Sequence, residues 1–153
     1  MLALALAIGF VAGLRSLTAP AAVSWAAALG WIDLAGTRLQ WMGSWVAVAI
    51  FTFLALLELV ADKLSRTPNR TTPGPLLSRM VLGGLAGAGL TVAGHQFPAL
   101  GAVVGATGAV IGAFAGYQAR YHLVNRLKLK DVLVAISEDL ITIVLAYLIV
   151  RSA

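Results

Sequence analysis

Six apolar segments follow one another along the chain, each separated from the next by a short polar stretch. They cover residues 1–14, 20–32, 41–60, 76–94, 99–117 and 132–150. An α-helix rises about 1.5 Å per residue, so about 20 residues cross the hydrocarbon core of a bilayer. The pattern therefore predicts an all-α, polytopic transmembrane helix bundle, and we interpret residues 1–153 as a single transmembrane domain.

The first two segments are short for membrane crossings, because 13 or 14 helical residues span only about 20 Å. Residues 15–18, Arg-Ser-Leu-Thr, separate them. Two interpretations stay open. We favour two tilted crossings, because spans of about 17 residues are ordinary. The alternative is a re-entrant hairpin whose tip, residues 15–20, lies within the membrane, where irregular backbone requires protein or a water-filled cavity around it.

Composition supports a membrane location. Hydrophobic residues make up 60% of the sequence and charged residues only 11%, whereas soluble domains carry about 25% charged residues. The chain has no cysteine, which excludes disulfides and thiol chemistry. In a membrane protein the net charge of +5 is explained by basic loops that resist translocation, so we do not expect nucleic acid as a partner.

The basic residues predict the orientation. They concentrate in two connections and are absent from the turn around His95. The two groups are Lys63, Arg66, Arg70 and Arg79 within residues 62–79, and Arg120, Arg126, Lys128 and Lys130 within residues 118–130. Lys- and Arg-rich loops stay in the cytoplasm, so both connections are expected there, with the His95 turn and both termini on the other side.

Glycines in the fifth segment recur at spacings of three and four residues. They are Gly101, Gly105, Gly108, Gly112 and Gly116. These spacings place all five on one helical face, and small residues let membrane helices approach closely. This glycine stripe predicts tight helix packing, either within the chain or between copies of it, and we expect a homo-oligomer.

Several charged residues are expected within apolar segments rather than in loops. Glu58 lies near the end of the third segment, and Glu138 and Asp139 lie about a third of the way along the sixth. Asp62 follows Glu58 by four residues at the loop edge, where it is either part of the same face or simply a solvated residue. A carboxylate at such depth is costly unless it is neutralised, paired or hydrated. Arg15 is the expected partner, followed by Arg120. These carboxylates and Arg15 are the candidate transport or ion-binding residues.

The sequence contains no pattern typical of an enzyme or of a metal or cofactor site. His95 and His122 are far apart in sequence and are predicted to lie on opposite sides of the membrane. We therefore expect no catalytic residues, no metal and no cofactor. Membrane lipids are the expected partners, together with a cation or small polar solute.

Three stretches resemble a known family. Gly13-Leu14-Arg15-Ser16, residues 58–63 (Glu-Leu-Val-Ala-Asp-Lys) and residues 112–116 resemble, in this order, bacterial membrane proteins grouped as domain of unknown function 4126. This resemblance implies a bacterial inner membrane location and no assigned activity. Residues 58–63 are also similar to the acidic motif of cation/proton exchangers, although the acids are four apart instead of three and Ala61 replaces glycine.

Two functions are compatible with these features. The first is a small transporter or channel-like protein for a cation or small polar solute, which uses the intramembrane carboxylates. The alternative is a structural or lipid-interacting membrane protein that transports nothing, in which Arg15 and a carboxylate form a static ion pair. Intramembrane ionisable residues are by default candidates for function, and this favours the first.

Overall fold

The computed structural model describes residues 1–61, 71–128 and 130–153. Within these ranges every regular element is helical. The six α-helices are α1 (Leu2–Leu14), α2 (Thr18–Ala28), α3 (Trp45–Ala61), α4 (Pro73–Ala93), α5 (Pro98–Tyr121) and α6 (Asp131–Arg151). A short 3-10 helix, Gln40–Gly43, precedes α3, and a π-helical turn, His122–Arg126, continues α5. The expected all-α fold is confirmed for the described residues.

Three of these helices are long and apolar enough to cross a membrane. They are α4, α5 together with its π-helical continuation to Arg126, and α6, and the shorter α1 and α3 are also apolar. Large hydrophobic side chains are exposed along α3, α5 and α6, including Val46, Phe53, Val103 and Leu140. Large apolar side chains exposed on helices of membrane-spanning length are typical of a surface that lipid solvates. The chain is therefore a helical membrane protein.

Helices α1, α4 and α5 form the tightly packed centre of the bundle. Helix α1 runs parallel to α5, because Gly9 lies against Gly105 while Gly13 lies against Gly112. Helices α4 and α5 are antiparallel. All five glycines of the stripe are buried, so the stripe packs inside the chain. A Cβ atom on Gly105 would collide with the carbonyl oxygen of Gly83, so these helices approach as closely as backbones allow.

Two helix boundaries differ from the predicted ones for clear physical reasons. The proline-rich stretch before α4 was expected to be a loop up to Pro75, but Pro73–Pro75 form the first turn of the helix. Proline is tolerated there because the first-turn N–H groups have no partner within the helix. Helix α2 is also shorter than predicted. It ends at Ala28, where the chain turns through Gly30 at φ +72°, a conformation that favours glycine.

Aromatic side chains gather at the end of the bundle where α2 ends and α3 begins. Trp25 makes an edge contact with Trp45, and Trp31 makes one with Tyr147 near the end of α6. Rings of this type concentrate at membrane interfaces. The charged clusters described next lie toward the opposite end of the bundle.

Candidate functional site

The candidate site is built around a break between two helices. Helix α1 ends at Leu14 and α2 begins at Thr18. Arg15 has an extended backbone (φ −140°, ψ 109°), which ends the helical path of α1. The chain then reverses into α2, whose first turn contains Pro20. The N–H groups at the start of α2 have no partners within the helix, and this segment is buried, so they need acceptors from elsewhere.

Glu58 of α3 supplies acceptors to Ser16 and Leu17, the two residues that lead into α2. Its Oε1 accepts hydrogen bonds from the Ser16 N–H at 2.8 Å and the Ser16 Oγ at 2.6 Å. Its Oε2 accepts one from the Leu17 N–H at 2.9 Å. A negative charge at a helix N-terminus is also favoured by the helix dipole. The carboxylate of Glu58 therefore caps α2 and fixes the break to α3.

Arg15 forms a buried ion pair across the bundle. Its side chain has no solvent-accessible surface, and its Nη2 donates to Oδ1 of Asp139 on α6. Burying either charge alone costs several kcal/mol, and a well-placed partner offsets that cost. Arg15 and Asp139 are 124 residues apart in the sequence, so this pair joins the first helix hairpin to the last helix.

Arg79 of α4 is the third basic contributor to this region. It is only 5% exposed, its Nη1 donates to the carbonyl oxygen of Gly13 at 3.3 Å, and its Nη2 lies 3.9 Å from Oε1 of Glu58. We call Arg15, Glu58, Arg79 and Asp139 the tip cluster. These two arginines and two carboxylates come from the connection between α1 and α2 and from α3, α4 and α6.

The tip cluster lies inside the bundle rather than at its end. Arg79 is six residues into α4 and Asp139 is eight residues into α6, about 9 and 12 Å along the helix axes. Arg15 follows directly after α1, which packs against the middle of α5. The cluster is thus a polar centre surrounded by apolar helices.

A second, more exposed cluster lies nearer the ends of α5 and α6. Arg120 donates from Nε and Nη2 to the two carboxylate oxygens of Asp131 at 2.9 and 2.8 Å, and its Nη1 lies 3.9 Å from Oε2 of Glu138. The Asp131 side chain is 57% exposed. Exposed pairs contribute little to stability, so this bidentate contact mainly sets how the connection leaves α5 and enters α6.

The structure brings three of the predicted site residues together, namely Arg15, Glu58 and Asp139. Glu138 instead lies beside Arg120, and Asp62 lies outside the described residues. Arg79 was expected with the cytoplasmic loop 62–79, and this was wrong, because Arg79 is inside α4 and buried. Its position within residues 76–94, which were themselves predicted to be apolar, was a usable signal that Arg79 lies in the membrane-spanning segment. The hydroxyl of Ser16 was also missed, since nothing local distinguishes it.

The fold defines the class, a helical membrane protein, and comparison with known proteins identifies the family. The chain belongs to the DUF4126 family, described as a domain of unknown function, whose model matches residues 2–152. This confirms the resemblance noted in the sequence. No curated protein and no solved structure matches the chain.

Proposed function

We propose that this protein is a small membrane transporter or channel-like protein that moves a cation or small polar solute by way of the tip cluster. One observation carries the proposal. A helix break lies inside an apolar bundle, and charged side chains from three further helices converge on it.

Ion pairs are a poor means of holding a membrane bundle together. Well-packed apolar residues often match or exceed a buried ion pair in stability, and the glycine contacts among α1, α4 and α5 already provide close packing. Broken helices whose ends face charged groups are, by contrast, a recurring feature of transporter binding sites near the membrane midplane. Such a break also allows the two helices that it separates to move relative to each other without the unfolding of a continuous helix.

We infer that α1 and α2 form a re-entrant hairpin in the membrane. Helix α1 has 13 residues and α2 has 11, which gives lengths of about 20 and 16 Å, too short for a bilayer core of about 30 Å. The tip then lies within the membrane, surrounded by protein as such backbone requires. This supports the re-entrant alternative over the two tilted crossings favoured from the sequence.

The orientation proposed from the sequence also fits this placement. Arg126 and Lys128 lie at the tip-cluster side of the bundle, and the aromatic residues around Trp31 lie at the opposite end. Basic residues would face the cytoplasm of a bacterial inner membrane, and the hairpin would enter from the outer side. Any homo-oligomer would form through faces other than the glycine stripe, since that stripe packs against α1 and α4.

In the proposed mechanism the two carboxylates are the exchanging groups. A cation or proton arriving at Asp139 competes with Arg15, and one arriving at Glu58 competes with the N–H groups of Ser16 and Leu17. Either event weakens the contacts that hold the hairpin tip against α3 and α6. Movement of the tip would then expose the polar centre to the other side, so the bound species crosses with the carboxylates as its ligands.

The second candidate is a structural membrane protein in which the same contacts are static. Its support is that Glu58 accepts three hydrogen bonds and that Arg15 is fully buried against Asp139. Buried hydrogen bonds and ion pairs of this kind rigidify a fold. This candidate predicts that the protein dissipates no solute or ion gradient.

Flux measurements in proteoliposomes test the proposal. Purified protein is reconstituted, and the dissipation of imposed proton, sodium and potassium gradients is followed with entrapped dyes. Wild type is expected to dissipate at least one gradient, and Glu58→Gln and Asp139→Asn are expected to lose that flux. Asp33→Asn, an exposed carboxylate outside the cluster, is the control and is expected to keep it. Wild-type flux no greater than that of empty vesicles, or unchanged flux in both cluster variants, would overturn the proposal.

A further inference from the structure

An elongated groove lies between α3 and α6, with one face of α2 as its floor. Its volume is about 400 Å³, which is in the range of ligand sites. It runs along α2 from Thr18 to Leu29, a length of about 17 Å. Small side chains from all three helices line it, namely Ala21 and Ala22 on α2, Ala55 on α3 and Ala146 on α6.

The body of this groove is unsuited to a polar solute. Its lining is almost entirely apolar, and the few polar groups near the middle already satisfy one another, because the Trp25 indole N–H donates to the hydroxyl of Thr52 at 3.0 Å. A long, narrow, apolar groove fits an extended hydrocarbon chain. Surface of this kind that faces the membrane interior would be filled by an acyl chain from the lipid.

The mouth of the groove carries a positive charge. Trp31 and Tyr147 line this end, and the Arg151 guanidinium lies 4.8 Å from the centre of the Trp31 ring. Arg151 is exposed and forms no ion pair with any residue in the described ranges 1–61, 71–128 and 130–153. Stacking on Trp31 holds the guanidinium at the mouth, with donors left for an anionic group.

We propose that this groove binds one anionic phospholipid, with an acyl chain between α3 and α6 and the phosphate at Arg151. The proposal rests on the apolar length of the groove and on the charge at one end of it, which together match the two parts of such a lipid. It does not depend on the proposed transport. The bound acyl chain would take the place of a direct contact between α3 and α6 and would keep α2 packed between these helices.

Quenching of tryptophan fluorescence by lipids with brominated acyl chains tests this site. The background variant carries Trp41→Phe and Trp45→Phe, so that Trp25 and Trp31 of the groove are the reporters. It is reconstituted in phosphatidylcholine vesicles that contain either brominated phosphatidylglycerol or brominated phosphatidylcholine at equal mole fraction. We expect about a fivefold preference for the anionic lipid, the ratio that about 1 kcal/mol for one basic residue near the surface gives.

Substitutions at the mouth and in the body of the groove separate the contribution of the lipid head group from that of the acyl chain. Arg151→Gln is expected to abolish the preference and keep the quenching, while Arg38→Gln, an exposed cation outside the groove, leaves both unchanged. Ala55→Leu, which fills the groove, is expected to lower quenching by either lipid, and Ala22→Leu repeats this from α2. Ala115→Leu on the exposed face of α5 is the matched control.

Three results would overturn the proposal. The first is equal quenching by the two lipids in the background variant. The second is identical quenching in Ala55→Leu, Ala22→Leu and Ala115→Leu, which would mean that only the surrounding lipid is sensed. The third is a change of oligomeric state in Ala55→Leu and Ala22→Leu but not in Ala115→Leu, which would assign the groove to a second copy of the chain. Circular dichroism of each variant confirms that it is folded before the comparison is made.

Discussion

Replacing Glu58 with glutamine tests whether this carboxylate holds the helix break. The amide keeps one oxygen, which can still accept from the N–H and Oγ of Ser16. It places an NH₂ donor where Oε2 accepted the Leu17 N–H, so two donors then face each other. The negative charge beside Arg79, whose Nη2 is 3.9 Å from Glu58 in the wild type, is also removed.

The magnitude follows from these contacts. A buried donor left without its acceptor costs about 1–3 kcal/mol, and hydrogen bonds to a charged group contribute about 1.5–3 kcal/mol each. One such bond is lost and the other two are weakened, so we expect the free energy of unfolding to fall by about 2–4 kcal/mol. The Glu58 side chain is only 11% exposed, so water replaces little of what is lost.

Reversible unfolding in mixed detergent micelles, followed by circular dichroism, measures this change. Asp33→Asn is the control, because Asp33 is exposed and its Oδ1 accepts from the Ala35 N–H at 2.8 Å, a contact that an asparagine oxygen preserves. We expect the control to stay within about 0.5 kcal/mol of wild type. If Glu58→Gln is as stable as that control, the carboxylate does not cap α2 and the reasoning is refuted.

Two further predictions concern stability. Arg15→Met and Asp139→Leu are each expected to lower the free energy of unfolding by about 3–5 kcal/mol. The double variant is expected to recover most of that loss, because it leaves no unpaired charge buried. Additive losses in the same unfolding assay would contradict the ion pair. Gly105→Ala is expected to lower the free energy of unfolding by about 1–3 kcal/mol through overpacking. Gly74→Ala, with open space around its Cβ position, is expected to be neutral or stabilising. Equal thermal midpoints for the two variants would disprove the close helix contact.

The helices themselves follow closely from the sequence, because apolar periodicity and segment length are local properties. Helix α6 extends only one residue beyond the predicted segment 132–150 at each end. The predicted boundaries were less accurate where prolines occur, since Pro73 can either end a loop or begin a helix. Glycine spacing predicted tight packing of α5, but sequence alone could not choose between a partner inside the chain and a second copy.

The candidate site was only partly predictable. Arg15, Glu58 and Asp139 stood out because they lie within apolar segments or between two closely spaced ones, and intramembrane charge is costly wherever it lies. The sequence could not predict which of these charged residues contact one another, since this depends on how α1, α3 and α6 are arranged in space. The role of Glu58 could be seen only in the structure. Its partners include backbone N–H groups, which every residue except proline has and which a sequence therefore does not reveal as partners.

Access of water to the hairpin tip tests the central claim most directly. The chain has no cysteine, so a single Ser16→Cys can be labelled by a charged, membrane-impermeant thiol reagent added to either side of sealed vesicles. Ser24→Cys, at a fully buried position of α2, is the unreactive control, and Ser152→Cys, at an exposed position, is the reactive one. If the hairpin tip is a transport centre, the Ser16→Cys thiol is expected to react with reagent added to either side of the vesicles. Adding Glu58→Gln is then expected to change the labelling rate from each side. A Ser16→Cys thiol as unreactive as that of Ser24→Cys from both sides would contradict the account and support a static bridge.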